Sequence, residues 1–169
     1  DYPSVLAGYA ALLSWKSQRP VKIIYDREED MAVTTKRHPS RTKIHSAFDA
    51  EGHLLALDID FALDAGAYTT LSPVVLSRGA LHACGVYRCP NVRVLARSVA
   101  TNTPPNGAFR GFGAPQSLFA LERHMDEAAL RMGLDPVELR RKNFLKIGDA
   151  MSTGQIVTEN VDLAGLMDR

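Results

Sequence analysis

The chain has 169 residues, 46% hydrophobic and 23% charged, with a formal net charge of +1. This is the composition of one globular domain with its own core, and a charge this close to neutral gives no electrostatic case for nucleic acid or a membrane surface, which would call for a clustered basic face. No apolar run reaches the roughly 18 residues of a membrane span. No signal peptide opens the chain, and the two cysteines, Cys84 and Cys89, are too few for a disulfide framework and fit no zinc pattern, so they read as free thiols in a cytoplasmic protein.

Val5, Leu6, Tyr9, Leu12 and Leu13 recur at helical spacing and predict a helix over 3–18, ended by Pro20. Residues 21–25 (Val-Lys-Ile-Ile-Tyr) read as a strand, and Arg27-Glu28-Glu29-Asp30 as a solvated turn. Residues 41–65 read as a hairpin turning at Asp49-Ala50-Glu51-Gly52. Ile44, Ala47 and Phe48 lie in its first strand, and Leu55, Leu57, Ile59, Phe61 and Leu63 form the apolar face of the second. Asp58, Asp60 and Asp64 then fall on the wet face. They lack the glycine and flanking oxygen ligands of a calcium loop.

The small residues of Asp64-Ala65-Gly66-Ala67-Tyr68 permit a close backbone approach. A short helix over 74–83 carries Arg78 and His82, and 92–100 reads as a further strand. A Pro-Pro loop at 101–107 leads to a helix starting at Pro115, with Leu118, Leu121, Met125, Ala128, Ala129 and Met132 as its apolar stripe and Glu127–Arg131 as an exposed pair. Gly133 ends that helix, and Asp135-Pro136-Val137-Glu138 starts another that runs to about Lys146. The order predicts an α+β fold, an antiparallel or mixed sheet with flanking helices, in a single domain without internal boundary.

Residues 107–116 carry the chemistry. Gly107, Gly111 and Gly113 surround Phe109, Arg110 and Phe112 just before a helix. Such a loop leaves backbone N–H groups free for an anion, Arg110 adds a planar fork of donors, and the two phenylalanines offer flat apolar faces. The glycine spacing is neither the dinucleotide fingerprint nor a P-loop. Two readings stay open: a site for an anionic ligand containing a ring, or a tight bend that only turns the chain into a helix.

Ala108-Phe109-Arg110-Gly111-Phe112-Gly113-Ala114-Pro115-Gln116 closely resembles a segment of the large, molybdopterin-binding subunit of the xanthine dehydrogenase/aldehyde oxidase family, to which aerobic carbon monoxide dehydrogenases are related. Arg19-Pro20-Val21-Lys22, the stretch Asp26 to Met31, Lys36-Arg37-His38-Pro39, the stretches Asp64 to Tyr68 and Tyr87 to Val92, and Arg140-Arg141-Lys142-Asn143 are similar to that subunit in the same order. The resemblance implies an oxidoreductase that hydroxylates a small substrate with oxygen from water. Its molybdenum would sit on a pterin, with no protein side chain as metal ligand. Ala108, Phe109, Arg110, Gly111 and Phe112 would lie against this cofactor, Phe112 also near the substrate, with Gln116 in support. Arg78, four residues before His82 and upstream of Tyr87, Pro90 and Asn91, would stabilise negative charge on a substrate, a catalytic role.

The family's other Gly-rich segment would precede Asp1, and its catalytic glutamate would follow Arg169. No glutamate here matches that role. With no initiator Met and an abrupt end, the chain reads as a fragment, inactive alone and prone to self-association through exposed apolar surface. Its partners would be the rest of the large subunit, iron–sulfur and FAD subunits or domains, and a small-molecule substrate. The alternative is a non-catalytic α+β scaffold or anion-binding domain.

Overall fold

The computed structural model describes residues 2–169. Alternation along one strand builds its centre. Strand β3 (Leu54–Gly66) buries Leu57, Ile59, Phe61 and Leu63 at every second position. It pairs antiparallel with β2 (Ser40–Phe48) and parallel with β4 (Asn91–Ala100), making a mixed sheet in the order β2-β3-β4. The expected hairpin forms: the Asp49 carboxylate accepts from the Glu51 and His53 amides at 3.0 and 2.7 Å, and Gly52 takes φ +90°.

Leu55 departs from the expected apolar face. The register passes from Ala47↔Ala56 to Phe48↔Leu54, so Leu55 is the extra residue of a β-bulge. The bulge flips the alternation: Leu54 is buried and Leu55 is 43% exposed. Asp58 and Asp60 lie on the wet face and pair with Arg93 (2.8 Å) and Arg97 (2.6 Å) of β4.

The parallel pair β3/β4 is joined by helix α3 (Ser72–Leu81), so this α+β fold contains one βαβ crossover. Helix α4 (Ala114–Met132) buries Ser117, Leu121, Met125 and Ala129. Leu121 and Met125 join Phe61, Val75 and Tyr87 in one core. Gly133 ends the helix at φ +68°, and Glu127 pairs with Arg131 as the spacing predicts. Asp135 caps helix α5 (Pro136–Asn143) through the Val137 and Glu138 amides at 2.8 and 3.1 Å. This helix stops before the expected Lys146, because Phe144 turns extended and stacks on Tyr87 with ring centroids 6.2 Å apart.

Two expectations for the N-terminal third need correction. Residues 21–25 are not a strand, since β-type side chains form a ladder only beside a partner and none lies alongside them among the described residues. Arg27–Asp30 is not a turn but the start of helix α2 (Arg27–Val33). Asp26 accepts from the Glu29 amide at 2.8 Å and Glu29 accepts from the Asp26 amide at 3.0 Å, a capping box that turns a charge cluster into a helix start. The first helix, α1 (Tyr2–Ser17), forms as the periodicity predicts and leaves Tyr9, Leu12, Leu13 and Trp15 exposed. Helix α6 (Leu163–Met167) lies near the C-terminus, and no helix among the described residues is long and apolar enough to cross a membrane.

Candidate functional site

The glycine-rich segment springs from the carboxyl end of β4, beside the end of β3. Polar bonds tie these ends together. Asp64 accepts from Thr101 Oγ1 at 2.5 Å and from the Gly66 amide at 2.9 Å, and these donors hold its carboxyl below the usual carboxylate range against the opposing effect of burial. Asn106 Nδ2 donates to the Asp64 carbonyl at 2.9 Å. Gly66 has no room for a side chain, since a Cβ there would meet the Pro104 carbonyl oxygen at 2.2 Å. This is the close approach that the small residues of 64–68 predict.

Strand β5 (Asn106–Gly107) then lies parallel to β1 (Lys36–Arg37), with Lys36 opposite Asn106 and Arg37 opposite Gly107. Beyond it the backbone makes a sharp bend. Gly111, Phe112 and Gly113 take φ of +91°, +48° and +87° in succession. Left-handed backbone is costly for phenylalanine, and Phe112 offsets that cost by packing against the core. The Phe112 amide donates to the Phe109 carbonyl at 2.9 Å and the Ala114 amide to Gly111 at 3.1 Å. The amides of Arg110, Gly111 and Gly113 donate no hydrogen bond among the described residues.

The free donors therefore lie in the bend rather than on the helix start, where the loop composition also places them. Pro115 has no N–H, and the Gln116 and Ser117 amides donate to the Gly113 carbonyl at 3.1 and 3.2 Å. Phe109 and Arg110 are exposed, Ala108 and Phe112 half-buried.

Arg37 reaches into this bend. Its Nη2 donates to the Arg110 carbonyl at 2.8 Å, its Nη1 approaches Gln116 Oε1 at 3.4 Å, and its guanidinium stands 4.5 Å above the centre of the Phe109 ring. Gln116 Nε2 in turn donates to the His38 carbonyl at 3.2 Å. His38 is buried, with Nε2 2.8 Å from Ser72 Oγ. Burial pushes its imidazole below the ordinary histidine range, opposed by the Gly107 backbone and the Asp64 carboxylate. In the sequence, Arg37 and His38 stand out only as part of a family segment and carry no role of their own. Their partners lie 73 and 34 residues away, a proximity that no local pattern signals.

Arg78 lies in the last turn of α3, exposed, and next to Gly79. A Cβ on Gly79 would stand 2.5 Å from the Phe61 ring and 3.2 Å from the Gly113 carbonyl. Arg78 is thus one residue from the contact between α3 and the bend. Its own carbonyl accepts from His82 N at 3.2 Å and Nδ1 at 2.9 Å, so the two residues meet through the backbone.

The bend thus offers the unused amides of Arg110 and Gly111, an Arg110 guanidinium with no acceptor among the described residues, and the half-exposed ring of Phe109. Such a donor set suits an anionic group carrying a ring. A family model described as the molybdopterin cofactor-binding domain matches residues 2–144. The chain belongs to this family.

This molybdopterin cofactor-binding domain is 50% identical over 141 residues to a probable xanthine dehydrogenase subunit of Bacillus subtilis, covering 83% of the chain and 19% of the relative. It is 37% identical over 161 residues to the nicotinate dehydrogenase large molybdopterin subunit of Eubacterium barkeri, covering 95% of the chain and 38% of that protein. Among solved structures, the aldehyde oxidoreductase from Desulfovibrio desulfuricans matches with a TM-score of 0.84 at 38% identity, over 92% of this chain and 17% of the other. The domain therefore spans well under half the length of these relatives. Their fold is the α+β arrangement of sheet and flanking helices described above.

Proposed function

We propose that this domain forms one wall of the cofactor site in a molybdopterin-dependent hydroxylase, and that it works only within the longer large subunit. The carrying observation is the bend at 108–113, where the exposed Arg110 and Gly111 leave two unused amides and a free guanidinium together. Ala108, Phe109, Arg110, Gly111 and Phe112 hold the cofactor. Arg110 supplies its charge and fork of donors to the anionic part of the pterin, and Gly111 leaves its amide uncovered. When bound, the molybdenum–pterin group supplies the redox chemistry that places a water-derived oxygen on a substrate carbon. Phe112, fixed by the core behind it, presents a rigid surface at the substrate. Gln116 supports the bend through Arg37 and His38. Arg78 provides the cation that stabilises negative charge building on a purine-type substrate, a role supported by its place beside the α3–bend contact.

The partners follow from the family and from the surface. Iron–sulfur and FAD subunits or domains accept the electrons, and the rest of the large subunit covers the exposed Tyr9, Leu12, Leu13 and Trp15. Without that cover the isolated domain self-associates. The free Cys84 and Cys89 suit a cytoplasmic setting.

The test is cofactor content in the purified full complex. Arg110→Ala removes charge-assisted donors and is expected to lower molybdenum and pterin per subunit by roughly tenfold or more. Full cofactor loading in that variant would contradict the assignment.

A further inference from the structure

Resting on the cofactor reading of residues 108–113, we infer that Arg37 is the positioning residue of that site: it fixes the plane of the peptide between Arg110 and Gly111 and so aims the Gly111 amide at the bound anion. The Arg37 guanidinium is engaged by the bend itself, through the Arg110 carbonyl at 2.8 Å, Gln116 Oε1 at 3.4 Å and the face of Phe109 at 4.5 Å.

The geometry of the peptide unit carries the argument. No peptide bond in the described chain is cis. In a trans peptide the carbonyl and the following N–H lie in one plane and point in opposite directions. Holding the Arg110 carbonyl toward Arg37 therefore turns the Gly111 N–H away from it, to the side where no protein acceptor waits. Among the described residues no other hydrogen bond is made by this peptide's own carbonyl or amide. Gly111 has the widest choice of backbone angles of any residue, and its φ of +91° is held by no hydrogen bond of its own amide. Left alone, the Arg110–Gly111 peptide would flip at little cost, and the bend would lose a prearranged donor.

Arg37 is itself well anchored for the task. It stands on β1, where pairing with β5 fixes the distance between its backbone and Gly107, three residues before Arg110. Gln116 grips the other arm of the fork and is held in turn by the His38 carbonyl. A lysine keeps the charge and the contact with an aromatic face, but its single ammonium lacks the planar fork that spans two acceptors.

The experiment uses the full complex carrying Arg37→Ala, Arg37→Lys or Arg110→Ala, with molybdenum and pterin content and hydrogen exchange of a peptide spanning residues 105–118 as readouts. Arg110→Ala keeps Arg37 and provides the exchange rate of a bend that has lost cofactor. Arg37→Ala is expected to lose cofactor and to exchange roughly tenfold faster at the bend than Arg110→Ala, with unchanged exchange in β2–β4. Arg37→Lys is expected to fall between wild type and Arg37→Ala in both readouts, and is read in its place if the alanine variant does not accumulate. If Arg110→Ala empties the site while both Arg37 variants match wild type in loading and exchange, the positioning role is overturned and the cofactor reading stands. If Arg110→Ala leaves the site full, the cofactor reading fails, whatever Arg37 does. Faster exchange throughout β2–β4 in Arg37→Lys would make Arg37 a residue of general stability and also overturn the inference.

Discussion

Gly79 of α3 and Gly113 at the start of α4 pack backbone against backbone. A Cβ on Gly113 would stand 2.2 Å from the Val75 carbonyl and 3.1 Å from the Gly79 amide nitrogen. Gly113 is also left-handed, at φ +87°. Gly133 provides the comparison, since it too is left-handed but has open space where its side chain would be. Gly133→Ala should therefore cost about 1 kcal/mol, the conformational penalty alone. Gly113→Ala adds a clash with a backbone that cannot move aside, and should cost about 2–4 kcal/mol. Urea denaturation of both variants checks this, and equal losses would mean that the helices are free to separate.

Asn143 shows what the Arg140-Arg141-Lys142-Asn143 segment does. Its buried amide bonds the hairpin turn to α5: Nδ2 donates to the Gly52 and Leu139 carbonyls at 2.8 Å each, and Oδ1 accepts from the Leu54 amide at 2.7 Å. Asn143→Ala leaves the Gly52 carbonyl and the Leu54 amide without their side-chain partner and should destabilise by about 2–4 kcal/mol. Asn143→Asp keeps the acceptor but loses the donors and buries a charge, so it should be at least as harmful. A melting temperature for either variant within error of wild type would rule this out.

Arg140 lies close by and is 12% exposed along its side chain, bonded to Glu122 at 2.7 Å and Asp126 at 2.8 Å. Glu122 also accepts from the Tyr87 hydroxyl at 2.8 Å. Burial first, then the Glu122 carboxylate, push the Tyr87 phenol far above its ordinary range, so it stays a donor at any working pH. Arg140→Met leaves two carboxylates facing each other. Both reach water, which limits the expected loss to about 1–3 kcal/mol. Tyr87→Phe should cost about 1 kcal/mol. A double-mutant cycle should give a clear coupling between the two positions, and strict additivity would mean that Glu122 does not link them.

Much of this fold is legible in the sequence, and the reasons are local. Alternation in residues 57–63, the stripe Leu121–Met125–Ala129, and the stops at Gly133 and Asp135 depend on neighbours a few positions away. What fails depends on distant partners. Residues 21–25 have strand-type side chains but no strand alongside, and the bulge at Leu55 is a matter of register with Ala47 and Phe48. The glycine bend stands out by its composition as a candidate site, with a simple tight bend as the other reading. The Arg37–Gln116–His38 support behind it joins segments more than seventy residues apart and is visible only in the folded chain.

Two histidines with bonded rings, the buried His38 and the half-buried His124, are expected to set the acid limit of the fold. His38 is shifted downward by burial, against the pull of the Gly107 backbone and Asp64, and His124, 2.7 Å from Ser46 Oγ, is shifted downward mainly by burial as well. A histidine whose folded value lies below its unfolded value of 6.5 binds more protons when unfolded. Its contribution to stability is therefore complete above about pH 6.5 and is lost as the pH falls through the range below it. Asp64 and Asp49, held low chiefly by bonds from Thr101 and the His53 amide, begin to lose theirs only near and below their unfolded value of 3.8. The interval between those two values isolates the histidines. Unfolding free energy from urea titrations should drop between about pH 7.5 and pH 5. His38→Gln and His124→Gln should each lower stability at the upper pH yet flatten the slope, and the double variant should flatten it most. A double variant whose stability falls as steeply as wild type over that interval would show that neither ring is held neutral by the fold.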